Sequence, residues 1–148
     1  MSYIILPKRI VQIKSNSKSL DVYICAMIRS RSDYRDGISH ITIDRLEQIT
    51  QIKQRTIRRS IRRLEEAELL KIDTYFVDEN IRRNRYDTSF RMRDYFMLDR
   101  EFLRQKYDPK ILGFILLLKS ICINGYIQLC FYITRSIGFV ICSNISRL

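Results

Sequence analysis

Glycine is scarce in this chain, with four residues in 148, and histidine scarcer still, with His40 alone. So few glycines leave little room for a phosphate-cradling loop, and no Gly-rich motif of that kind is present. HExxH and GxSxG are absent as well, and no cysteine is matched to a histidine as an activated nucleophile would be. Aspartates and glutamates occur, yet no two stand at a spacing that signals general acid–base work. The four cysteines, Cys25, Cys122, Cys130 and Cys142, form no CxxC pair. His40 cannot complete a zinc set without such tight ligand pairs. Cys25 and Cys122 stand in or beside apolar helical patterns and read as small buried hydrophobes. The expectation is a non-enzymatic protein with no catalytic residue, cofactor or metal, in a reducing, cytoplasmic setting.

Targeting and spanning segments are missing too. The opening apolar run, Tyr3 to Leu6, is too short for a signal peptide, and its basic residues Lys8 and Arg9 follow rather than precede it. Without such a signal, Asn144-Ile145-Ser146 is a chance glycosylation match. Ile111 to Leu118 is apolar on every face but far below the roughly 20 residues needed to cross a bilayer. Lys119 and Arg135 interrupt the wider apolar stretch up to Cys142, so a buried core helix is expected and no membrane partner.

What the chain does have is positive charge, +11 net, on a composition that is 46% hydrophobic. That is enough apolar matter for a folded core in one domain or two small ones. A polyanion is the natural partner: nucleic acid first, an anionic membrane surface second. Charge alone also fits a merely basic protein.

The charge concentrates in Thr42 to Leu70. Thr42 is a plausible helix cap, with Asp44 in the first turn favouring the helix dipole. The helix it opens buries Ile43, Leu46 and Ile49. Thr50-Gln51-Ile52 forms a turn, and a second helix runs from about Lys53 to Glu68. Ile57, Ile61 and Leu64 share one face of it. Lys53, Arg55, Arg58, Arg59, Arg62 and Arg63 give it six cations before the first acid, Glu65, and Arg55, Arg58, Arg59 and Arg62 turn mostly away from the apolar stripe. Such cations gain nothing from ion pairing within the helix. One face seated in a core and the other presenting guanidinium groups suits the DNA major groove.

Around this pair, Leu20, Tyr23, Ile24, Met27 and Ile28 predict an earlier helix ending near Arg31, and Ile38 to Ile41 a short strand. Residues 1–15 are apolar and then basic, through Lys8, Arg9 and Lys14, and read equally as an edge strand or an arm. After Leu70 the period changes. Lys71 to Val77 predicts a strand, Asp78-Glu79-Asn80 a turn, and Tyr86 to Met92 a second strand, with Arg82, Arg83 and Arg85 at a basic hairpin tip.

IDRLEQITQIKQRTIRRSIRRLEEAELL resembles the winged helix-turn-helix pattern of bacterial and plasmid DNA-binding proteins. The features that carry it are Ile52 in the turn, Arg55-Thr56-Ile57 opening a helix, and the closing Leu-Glu-Glu-x-x-Leu-Leu. The resemblance covers about residues 16–92. It implies a recognition helix over Lys53 to Arg62 and a wing at Arg82 to Arg85. Position 51 departs from it, with Gln where many relatives carry Gly. The fold class expected is mainly α with a small β-hairpin wing, an α+β winged helix-turn-helix.

Shifting the chain by 88 residues gives a faint self-match. Asp36-Gly37 falls on Asn124-Gly125, and Ile24, Met27 and Ile28 on Leu112, Ile115 and Leu116. Ile49, Ile52 and Ile57 fall on Ile137, Val140 and Ile145, and Arg59 on Arg147. An isoleucine-rich chain produces such matches by chance as well. Taken as a repeat, it divides the chain into a DNA-binding domain over 1–93 and a helical C-terminal segment over 94–148, an incomplete second winged-helix unit. Tandem winged helices resemble plasmid replication initiators, of which this would be a shortened member or a truncated reading frame. Within the second segment, Asp99 to Arg104 suggests a short helix, and Asp108 caps another opening at Pro109. An unfinished unit leaves apolar surface uncovered, which predicts a homodimer or poor solubility.

The partner expected is double-stranded DNA. Gln54, Arg55, Arg58 and Arg59 are the candidate base readers, since arginine grips guanine and glutamine reads adenine. Lys53, Arg62, Arg82, Arg83 and Arg85 are candidate phosphate contacts, which give affinity without sequence information. The task would be transcription regulation or plasmid or mobile-element replication initiation. The rival is a winged helix that binds protein instead of DNA. RNA is disfavoured because no aromatic-studded sheet or GxxG loop is present.

Overall fold

A computed structural model describes residues 3–121 of the chain. Its centre is α1, Lys18–Ser30, in which every residue from Leu20 to Ile28 is buried. A helix apolar nearly all round needs neighbours on several sides, and α1 has them. The first strand, β1 (Tyr3–Pro7), leads through a 3-10 turn (Lys8–Gln12) into it. After α1 come β2 (Ile38–Ser39), α2 (Ile43–Thr50) and α3 (Gln54–Glu66). The hairpin β3 (Lys71–Asp78) and β4 (Ile81–Asp87) follows, then β5 (Tyr95–Asp99), α4 (Arg100–Leu103) and α5 (Pro109–Ile121). The fold is mixed α+β, with five α-helices and two small antiparallel sheets among the described residues.

One sheet pairs β1 with β5, setting Ile4 opposite Leu98 and Leu6 opposite Phe96. These four point into the core, while Tyr3, Tyr95 and Met97 alternate outward. The N-terminal segment is thus a strand rather than an arm. Its partner strand went unforeseen, because YFMLD is too short to show a period. The other sheet has the order β2-β4-β3. Here the expected second hairpin strand is displaced: it covers Ile81–Asp87 rather than 86–92. Arg82, Arg83 and Arg85 therefore lie along the strand, and only Glu79 and Asn80 form the tip. Arginines without apolar alternation disguised the strand.

The remaining helices lie close to expectation. Ile43 and Ile49 are only half-buried in α2, where Leu46 and Thr50 take the core positions. Asp108 receives the Lys110 N–H at 2.8 Å and caps α5. Leu112, Ile115 and Leu116 of α5 are buried, whereas Ile111, Phe114 and Ile121 are exposed, so this helix has one core face rather than burial all round. Gly113 sets its approach to α1: a Cβ there would stand 1.6 Å from the Ser19 carbonyl oxygen. The hydrophobic core is continuous across position 93, since β1 pairs with β5 and α1 packs on α5. Of the self-match, Leu112, Ile115 and Leu116 are buried helix residues like their counterparts, and everything from Asn124 on lies outside the described residues.

Candidate nucleic-acid interface

The site is built on the connection between α2 and α3. Thr42 caps α2, its hydroxyl oxygen accepting the Arg45 N–H at 3.1 Å. Gln51 ends α2 in the left-handed region, with φ 59°. This is the conformation glycine adopts most easily, which explains why the resembling pattern favours Gly at this position. Gln51 gains a local bond in return, donating its side-chain amide to the Gln48 carbonyl at 2.8 Å. Thr50 braces the same turn, donating to the Leu46 carbonyl and accepting the Ile52 N–H.

From there α3 divides as its periodicity demands. Ile57, Ser60, Ile61 and Leu64 are buried, and Arg55, Arg58, Arg59 and Arg62 are exposed on the opposite side. Arg63 belongs with neither group. Its Nε and Nη2 donate to the Asp21 carboxylate at 2.8 and 2.7 Å. Asp21 sits on α1 with its side chain fully buried, and the Ser60 hydroxyl adds a third bond to it at 2.6 Å. Its own hydrogen bonding to Asp21 holds the Arg63 pKa above its ordinary value. A bidentate pair between α1 and α3 fixes how α3 is rolled, and so which arginines face outward.

The candidate residues have distinct surroundings. Lys53 is the exposed N-cap of α3, without a side-chain cap bond, and the first turn holds no acid. Positive charge beside the positive end of a helix dipole is locally unfavourable and is relieved by an anion. Gln54 is half-buried, its amide donating to Asp44 and Glu47 of α2 at 2.8 Å each. That engagement was invisible in the sequence, and it ties Gln54 to the α2–α3 corner. On β4, Arg82 lies over the Phe76 ring, 5.0 Å from its centroid. Arg83 stands opposite Tyr75 and is exposed. Arg85 pairs with Asp73 across the strands at 3.3 Å.

The hairpin folds back beside α3, leaving a cleft of about 610 Å³. Arg58 and Arg62 line it from α3, Arg82 and Arg83 from β4, and the acids Asp44 and Glu65 sit among them. Tyr86 closes its floor; burial pushes its hydroxyl pKa up, against the opposing charge of Arg58. Four of the nine candidate residues thus share one cleft, Arg55 and Arg59 continue its basic surface along α3, and Arg85 is held apart by its carboxylate. The two acids in the cleft were missed by sequence reasoning, since only the hairpin's position beside α3 brings them in.

Among the described residues no group of His, Cys, Asp and Glu is placed to hold a metal ion, and no helix is long and apolar enough to cross a membrane. No protein-family model, curated protein or solved structure matches the chain.

Proposed function

We propose that this protein is a winged helix-turn-helix module that binds duplex DNA without catalysing a reaction. The observation that carries the reading is the shared cleft, in which Arg58 and Arg62 of α3 face Arg82 and Arg83 of β4. The element order supports it: a helix, a short strand, two helices about a tight turn, then a hairpin whose second strand pairs with that short strand. In this reading α3 enters the major groove and the β3–β4 hairpin rides on the flanking backbone. Arg55, Arg58 and Arg59 reach base edges, Lys53, Arg62, Arg82 and Arg83 neutralise phosphates, and Gln54 orients the corner. The module serves transcription regulation or plasmid or mobile-element replication initiation.

The test is duplex affinity by fluorescence anisotropy for three paired variants. Arg58→Ala/Arg62→Ala and Arg82→Ala/Arg83→Ala should each weaken binding by about tenfold or more. Lys106→Ala/Lys110→Ala, which removes as much charge elsewhere, should change it less than about twofold. Equal losses in all three would reduce the reading to unspecific charge attraction. A second reading, a winged helix that docks a protein, draws on the hairpin end, where Phe76, Val77 and Ile81 are exposed around Asp78 and Glu79. It predicts that Phe76→Ser/Ile81→Ser abolishes partner capture while duplex binding is absent in the parent protein.

A further inference from the structure

A second cationic cleft, sharing no residue with the first, opens just past the C-terminal end of α3. Its volume is about 720 Å³, and its charged lining is Lys8, Arg9, Arg91 and Arg93 against Glu68 and Asp94. Its backbone is stapled in place. The Arg9 guanidinium donates to the carbonyls of Glu68 and Phe90, and the Lys8 N–H donates to the Asp94 carbonyl at 2.8 Å. Glu68 and Arg91 both hold left-handed backbone, with φ 55° and 51°. That conformation is costly for residues other than glycine and persists only where the surroundings enforce it. Their side chains form an ion pair with each other.

Three features of this cleft lack a counterpart. Arg9 Nε is buried without a hydrogen-bond partner among the described residues. Lys8 and Arg93 are exposed, and neither side chain has a partner among those residues. The cations outnumber the carboxylates by two, four against two, in a volume within the usual range for small-ligand sites. Among the described residues no aromatic platform lines the cleft, and its charged groups suit an oxyanion rather than a ring.

We infer that this cleft binds a phosphate group. Arg91 and Arg93 offer guanidinium forks that match phosphate oxygens, and Lys8 adds a point charge at the rim. Glu68 is the resident competitor, holding Arg91 until phosphate replaces its carboxylate. The phosphate comes either from a free polyphosphate-bearing ligand or from a nucleic-acid backbone, and the recognising chemistry is the same.

Calorimetric titration of the full chain with inorganic triphosphate at low salt tests this without any DNA present. Wild type should bind. Lys8→Ala/Arg93→Ala should lose at least about tenfold in affinity, Lys106→Ala/Lys110→Ala less than about twofold, and Glu68→Gln should bind more tightly. No binding by folded wild type overturns the assignment, as does an unchanged affinity in Lys8→Ala/Arg93→Ala. A duplex titration then identifies the source of the phosphate. If triphosphate competes with duplex, and Lys8→Ala/Arg93→Ala flattens the salt dependence by about two phosphates, the ligand is the nucleic-acid backbone. If triphosphate binds and duplex affinity ignores both, the ligand is a free phosphorylated molecule. Because the first titration contains no DNA, its failure is distinct from a failure of duplex binding.

Discussion

Arg62 and Arg63 are neighbours in sequence with opposite surroundings, one exposed beside the cleft and the other pinned to Asp21. Arg63→Ala leaves a fully buried carboxylate without its cation, which costs about 3–5 kcal/mol. Urea unfolding should show that loss for Arg63→Ala, whereas Arg62→Ala should unfold within about 0.5 kcal/mol of wild type. Equal stability of the two would mean that the Asp21 contact does not orient α3. Periodicity placed Arg55, Arg58, Arg59 and Arg62 on the outer face, but it could not separate Arg63 from them, because its partner lies 42 positions away in the chain. Cys25 shows the converse, a residue whose role follows from its apolar neighbours alone. Burial pushes its thiol up to about 12 from 9.0, with the nearby charges of Arg29 and Arg9 opposing. Below the unfolded value the thiol is neutral in both states. As pH rises from about 9 to about 12 only the unfolded chain loses the proton, so Cys25 makes stability fall across that window. Peptide mapping after alkylation at pH 8 should find Cys25 unlabelled in the native protein and labelled in urea. Native labelling at the unfolded rate would contradict its burial.

Elements were legible where their period was long and illegible where it was short or overwritten by charge. α1, α2 and α3 follow from apolar spacing, and α5 from its cap and proline. β4 is displaced from its expected place because IRRNRYD carries three arginines where apolar alternation would mark a strand, and the bulge between Phe76 and Asp78 hides the register that pairs Asp73 with Arg85. Two positions test the element joints. Gln51 holds the left-handed turn between α2 and α3, at a strain that glycine does not bear. Gln51→Gly should therefore raise stability by about 1 kcal/mol in urea unfolding, and a loss of that size would show that the Gln48 bond outweighs the strain. Gly113 is the reverse case, where any Cβ meets the α1 backbone. Gly113→Ala must push α5 away from α1 and should cost about 3 kcal/mol, read as a lower urea midpoint. A neutral result would mean that the helices are not in such close contact.

For the molecule as a whole, what the sequence made legible was a net charge of +11 and its concentration near residues 53–63. It did not reveal two separate cationic clefts, one shared by α3 and β4 and one beyond the end of α3. Both clefts depend on chain segments far apart in sequence, and both contain acids that temper the charge. A single basic run therefore understates how the surface is organised. Binding driven by phosphate neutralisation has a quantitative signature, because each neutralised phosphate releases condensed counterions. The most direct test of the central claim is the affinity for a random-sequence duplex across a salt series. If about five phosphates are neutralised, log K should fall against log salt with a slope of about −4 to −5. Arg62→Ala/Arg82→Ala/Arg83→Ala should flatten that slope while leaving the protein folded. No duplex binding by folded wild-type protein at low salt, or affinity indifferent to salt, would contradict the account.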